Sequence, residues 1–285
     1  DEHLDQKEIE LRKEIEVMKS LDHPNVVRYL QTTKDAVKDG FSVSIIMEYA
    51  AGGSISRQLR EFGPLEDAVC RRNCIQILCG LAYLHNRGLV HRDIKGANIL
   101  IGADSVCKLA DFGSVGILNN GDSPLTSPKG TPNWMAPEVV TRTGHGWQAD
   151  IWSFGCTVME MLTAVPPFQH VSSHPLAVMW FVTDRQRDIT LPDAVSGAVS
   201  DFLLLMLNRD PSQRPAAPRL LQHLYLNPEP SHRHAAETQH HGAGTIVATL
   251  RIPETLNSNE DQREPLSAAD EASGMQAGQG PVITQ

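Results

Sequence analysis

The sequence is short of several things, and each shortage excludes a class of protein. No apolar run approaches the roughly 18–20 residues of a transmembrane helix, and the opening "DEHLDQ" is not a basic-then-apolar secretory leader. Positive charge is scarce. With 25 Lys and Arg against 34 Asp and Glu the formal net charge is −9, which argues against nucleic acid or an anionic membrane surface as partner. Cysteines are few and unpaired in spacing: Cys70, Cys74, Cys79, Cys107 and Cys156. Cys70 and Cys74, one helical turn apart, could form half a metal site. No second ligand pair accompanies them, so buried thiols of a reduced, cytoplasmic protein are expected. Internal repeats are also missing.

The chain divides by pattern. Leu11, Ile15 and Met18 recur at helical spacing within the first 22 residues, and Pro24 of "HPN" predicts their end. Two strand-like runs, Val26–Thr33 and Phe41–Met47, flank the polar "KDAVKDG". "YAAGGS" (Tyr49–Ser54) reads as a flexible joint, after which a helix is expected from near Pro64 to Asn86. "NILIGADSVCKLADFG" predicts a hairpin, and residues 111–138 a long functional loop. "ADIWSFGCTVMEMLT" predicts a helix buried on most sides, with further helices over 175–225. Residues 229–285 carry eight acids against three Lys and Arg, lack periodicity, and are expected to be disordered. Their His232, His234, His240 and His241 fit a solvated tract better than a metal site, because no Cys or carboxylate cage accompanies them.

The chemistry concentrates in "VHRDIKGANIL" (Val90–Leu100), too polar for packing alone. His-Arg-Asp-x-Lys-x-x-Asn matches by chance in a chain this size roughly once in ten thousand. "DFG" (Asp111–Gly113) follows at hairpin distance, so Asn98 and Asp111 should emerge at one end. An amide oxygen and a carboxylate together there suit Mg²⁺, which takes few protein ligands and shares the rest with phosphates. Asp93 belongs to the same end, placed to accept a proton from a hydroxyl.

These residues resemble the eukaryotic protein kinases. From about Glu8 to His223 the chain shows, in order, a helix with Glu14, "HPN", "IMEYAAGGS", "YLHNRGLVHRDIKGANIL", "LADFG", "GTPNWMAPEVV", "ADIWSFGCTVMEML" and "RDPSQRP". The resemblance implies an α+β bilobal fold: a truncated N-lobe of one helix and two strands (1–50), a mainly helical C-lobe (51–228) and the tail (229–285). It implies catalytic roles for Asp93, Lys95, Asn98 and Asp111, with Asn98 and Asp111 as Mg²⁺ ligands. Glu14, Met47 (gatekeeper), Glu48, Ala50 and Leu100 correspond to positions that hold ATP. Glu138 with Arg214, and Asp150, correspond to structural braces. His91 and Phe112, with Met18 and Tyr29, match the stacked column that the family aligns when active.

Lys95 and Thr131 resemble serine/threonine rather than tyrosine kinases, and "HRDIKGANIL" with "GGSI" resembles the mitogen-activated protein kinase kinase kinase (MEKK-like) branch. That branch implies a protein substrate, itself a downstream kinase, and an upstream activating kinase. Ser54 and Ala97 stand where arginine-directed kinases carry glutamates, so no demand for upstream arginine is implied. Arg92 is expected to meet a phosphate on the loop, at Thr126 or Ser127 or, less favourably, Ser123. Thr131 completes the candidate control residues. No Gly-rich phosphate loop or strand lysine precedes Glu14. An N-terminally incomplete active kinase is therefore expected, the alternative being a non-catalytic scaffold or binding module.

Overall fold

The computed structural model describes residues 2–37, 40–118, 124–191, 195 and 197–228. The tail, its four histidines and Ser123 lie outside the described residues. Helix α1 (Glu2–Ser20) forms where the periodicity predicts, burying Ile15 and Met18 on one face. "HPN" does more than end it. The Asn25 carbonyl accepts from Leu109 N (2.9 Å), its amide donates to the Cys107 carbonyl (3.0 Å), and Val27 N donates to the Leu109 carbonyl (2.9 Å). The helix is thus tied directly to strand β5 (Cys107–Leu109).

Strand β1 (Tyr29–Val37) pairs antiparallel with β2 (Gly40–Met47), in a register that sets Thr33 opposite Ser44. Both strands lie further along "KDAVKDG" than the expected runs. Val26 and Val27 are taken by β5, while the backbone of Lys34 and Asp35 finds its partners in β2 despite their polar side chains. After the joint, Ser54 accepts a hydrogen bond from Arg57 N (3.2 Å) and caps a short helix, α2 (Ile55–Phe62), that the apolar periodicity did not single out. The next helix, α3 (Asp67–His85), starts later than Pro64 because Leu65 N is bound to the Met161 carbonyl (2.9 Å).

Two short ladders and further helices complete the described residues. Strand β3 (Leu89–Val90) pairs with β6 (Gly116–Ile117), and β4 (Ile99–Ile101) with β5, giving the predicted hairpin. The expected long loop over 111–138 instead contains β6, a 3-10 turn (Pro132–Trp134) and the start of α4 (Pro137–Thr141). Helix α5 (Trp147–Thr163) is buried nearly all round and packs Trp152 and Phe154 against Phe168 and Phe202. Helices α6 (Pro175–Thr183), α7 (Ala198–Met206) and α8 (Ala217–Leu220) close the core. The architecture is α+β, a small part of one helix and two strands beside a mainly helical part. All five thiols are free. Burial pushes that of Cys107 up to about 12, so it stays protonated at neutral pH. Among the described residues no helix is long and apolar enough to cross a membrane.

One ion pair crosses this core. Arg214 grips Glu138 with both terminal nitrogens (2.7 and 2.8 Å) and donates to the Asn208 and Gln148 carbonyls (2.7 and 2.8 Å). Both side chains are almost fully buried. Removing one partner strands the other's charge, so Arg214→Ala should cost about 3–5 kcal/mol. Urea unfolding checks this as a lowered midpoint, and a loss below about 1 kcal/mol would contradict it.

Candidate active site

The loop that carries His91, Arg92 and Asp93 is built on the carboxylate of Asp150, delivered by α5. Its Oδ2 accepts from His91 N (2.8 Å), its Oδ1 from Arg92 N (2.8 Å), and His85 Nε2 lies 2.9 Å from Oδ2. Full burial alone would raise the Asp150 pKa, but hydrogen bonding and charge from His85 and the loop N–H groups hold it below the ordinary value. Held this way, Arg92 adopts φ 68°, a left-handed conformation costly for a non-glycine residue.

Asp93 follows, nearly buried, with both oxygens engaged. Oδ1 accepts from Thr131 Oγ1 (2.7 Å), and Oδ2 from Lys95 Nζ (2.7 Å) and Asn98 Nδ2 (2.9 Å). Lys95 Nζ also donates to Thr131 Oγ1 (2.6 Å), so the three side chains form a closed ring of hydrogen bonds. Burial would raise the Asp93 pKa, but the bonds from Lys95 and Thr131 outweigh it and the net direction is down. Thr131, expected among the control residues, sits on Asp93 rather than beside Thr126 and Ser127.

The loop is braced from below by a residue that motif reading missed. Glu160 accepts from Ser56 Oγ (2.6 Å) and Gly96 N (2.9 Å), and burial raises its pKa. A Cβ on Gly96 would come within 2.7 Å of Glu160 Oε1, so only glycine admits this approach. The available signal was a second acid, ten residues after Asp150, near the end of a largely apolar helix.

Asn98 and Asp111 do meet at one end of the hairpin, where Ala110 N donates to the Asn98 carbonyl (2.9 Å). The Asn98 amide nitrogen is spent on Asp93, while its side-chain oxygen and the exposed Asp111 carboxylate accept no hydrogen bond among the described residues. Glu14 Oε1 and Asp111 Oδ1 each lie 3.5 Å from where a Cβ on Gly113 would sit. An amide oxygen and a carboxylate without protein hydrogen-bond donors, brought to one end of a hairpin, fit Mg²⁺. Burial and the charge of Asp111 raise the Glu14 pKa, and Lys129 counters them. His91 packs against Phe112 with ring centroids 5.3 Å apart and the rings tilted by 59°, while Met18 is buried and Tyr29 half-buried in the same core as Phe112.

The positions matched to ATP binding cluster less tightly. Met47 ends β2 and is 41% exposed. The Glu48 carboxylate is committed to Arg28 N (2.7 Å) and Lys108 Nζ (3.0 Å), and its backbone N–H to the Arg28 carbonyl (2.9 Å). Its backbone carbonyl accepts no hydrogen bond among the described residues. Ala50 is half-exposed, and half-buried Leu100 on β4 bridges to Ser54. Thr126 and Ser127 are exposed, next to Leu125, whose backbone pairs with His145 (3.1 and 2.9 Å). Arg92 does not wait for a phosphate: Nε binds the Ser114 carbonyl and Nη2 the Val115 carbonyl (2.9 Å).

A carboxylate poised beside a lysine and a threonine, with an open oxygen pair at hand, is equipped to move a phosphoryl group onto a hydroxyl. The chain matches the protein kinase domain over residues 1–226, and it belongs to that family. Among its relatives, mitogen-activated protein kinase kinase kinase ANP1 of Arabidopsis thaliana is 40% identical over 269 residues, covering 93% of this chain and 39% of the relative. Mitogen-activated protein kinase kinase kinase A of Dictyostelium discoideum is 45% identical over 214 residues (75% and 22%). Mitogen-activated protein kinase kinase kinase 19 of Homo sapiens is 42% identical over 223 (76% and 16%). The chain therefore spans well under half the length of these curated relatives.

The Asp93 ring has a titration signature. Because its folded pKa is depressed from 3.8, Asp93 adds stability above that value and loses it as pH falls through the folded pKa. Thr131→Val removes one donor, so a ¹³C carboxyl titration should show the Asp93 pKa rise and the acid-side stability loss shrink. An unchanged titration would contradict the ring.

Proposed function

We propose that this chain is the phosphoryl-transfer part of a protein serine/threonine kinase in a mitogen-activated protein kinase cascade, working in the cytoplasm on a downstream kinase. The observation that carries the proposal is the ring of Asp93, Lys95 and Thr131, beside the open oxygens of Asn98 and Asp111. Family membership and the names of the relatives support the same reading.

In this reading a substrate serine or threonine hydroxyl approaches Asp93, which orients it and takes its proton as its oxygen bonds to the γ-phosphorus of ATP. The bond from that phosphorus to the bridging oxygen breaks, and ADP leaves with the electron pair. Lys95 neutralises charge on the phosphoryl oxygens in flight, a role for which a compact ammonium held 2.7 Å from Asp93 is suited. Asn98 and Asp111 would hold magnesium, which would supply positive charge to offset that of the phosphates. Thr131 fixes the rotamer of Asp93 so that little reorganisation accompanies proton transfer. Met47, the Glu48 and Ala50 backbone and Leu100 would seat the adenine, with Glu14 set toward the phosphates.

Control follows from the exposed Thr126 and Ser127. An upstream kinase would phosphorylate one of them, and Ser127 precedes Pro128, which suits a proline-directed enzyme. Arg92 would then exchange or share its carbonyl partners with the phosphate.

The test is transfer from [γ-³²P]ATP with magnesium to a generic protein acceptor, run on the 285-residue chain and on the longest natural protein containing it. Asp93→Asn should lower the rate by at least about 10². Absence of Asp93-dependent transfer from both would overturn the proposal in favour of a non-catalytic binding module.

A further inference from the structure

On the face of α1 turned away from Glu14 lies an open groove of about 470 Å³ that the chemistry above does not use. It is lined by Arg12, Lys13, Glu16, Val17 and Ser20 of α1, together with Arg87, Leu89 and Ile117. Lys13, Val17 and Ser20 recur at helical spacing, so they form one stripe along the helix. Leu89 and Ile117 are direct cross-strand partners in the β3–β6 pair and make the opposite wall. Ile117 is 47% exposed, unusual for a β-branched side chain in a ladder.

The charge of the groove is one-sided. Glu16 is already paired with Lys19 at 2.9 Å, which leaves the cationic side chains of Lys13 and Arg87 to set the local potential. Arg87 is held in place by stacking over the Tyr83 ring at 4.8 Å. Lys13 has no carboxylate partner among the described residues. This stands against a chain whose net charge is −9, so the patch runs counter to the molecule as a whole.

We propose that the groove docks an acidic segment of a partner protein, one apolar side chain of which enters between Val17, Leu89 and Ile117 while its carboxylates meet Lys13 and Arg87. The volume falls in the range of roughly 300–1,000 Å³ typical of built ligand sites, which accommodates an anchor side chain and its flanks. A cationic rim around an apolar wall selects acidic over basic partners. The occupant touches α1 and β6 together. Helix α1 carries Glu14, and β6 begins three residues after Gly113, so docking restrains Glu14 against the Asp111 loop. The segment acts as an effector of the site.

Binding can be read without any catalysis, so its failure is separate from failure of the kinase reading. The probe is a fluorescein-labelled peptide with a central leucine flanked by aspartate and glutamate, followed by anisotropy on the 285-residue chain. Its control replaces every acid by lysine. Lys13→Glu with Arg87→Glu, and separately Ile117→Asp, should each weaken binding of the acidic peptide at least tenfold, with near-ultraviolet circular dichroism unchanged. Because all three positions are exposed, loss of fold is not expected, and Lys13→Ala with Arg87→Ala gives a milder series in which affinity should fall in the same direction. Equal binding by the variants, equal binding of the lysine peptide, or no binding of the acidic peptide up to about 1 mM would each overturn the proposal. Binding of phosphatidylserine vesicles without binding of the peptide would overturn it in favour of a membrane surface.

Discussion

A single buried carboxylate sets the geometry on which the rest depends. Asp150 accepts the N–H groups of His91 and Arg92 and sits beside His85, all at 2.8–2.9 Å, with no exposure to water. An ionised carboxylate so placed is tolerable only when its lone pairs are filled, and the loop backbone fills them. In return the loop is held with Arg92 at φ 68°, which turns Asp93 toward Lys95, Asn98 and Thr131. The strain at Arg92 is sustained by contacts on both sides of its peptide, since its guanidinium binds the Ser114 and Val115 carbonyls.

The same device recurs at lower scale. Glu160 anchors Gly96 and Ser56 under the loop, and Glu138 with Arg214 anchors the segment that delivers Thr131. Each is a buried charge whose removal costs more than its presence gains. Buried polar anchors are a poor way to gain stability and a good way to specify one arrangement. The hydrophobic core around Trp152, Phe154 and Phe202 supplies the free energy, and the anchors decide which loop conformation it stabilises.

Much of the site was legible because its parts lie close in sequence. Asp93, Lys95 and Asn98 share one loop, and a hairpin must return Asp111 to Asn98, so spacing alone placed them together. Contacts that span the chain were not legible. Thr131 on Asp93, Glu160 under Gly96 and the carbonyls that hold Arg92 come from segments 22 to 64 residues away. The fold shows the same division. Helix α1 and helix α5 follow their periodicity, whereas β1 slid along the chain because β5 captured Val26 and Val27, a competition local pattern does not contain. Helix α2 escaped notice because it is eight residues long and follows two glycines.

The central claim is that Asp150 holds the catalytic loop in its working shape. Site-resolved amide hydrogen exchange in Asp150→Asn measures this most directly, because asparagine keeps the size and gives up the second acceptor and the charge. The account predicts that the His91 and Arg92 amides exchange at least about tenfold faster while those of α3 do not change. Unaltered protection of both amides would contradict it.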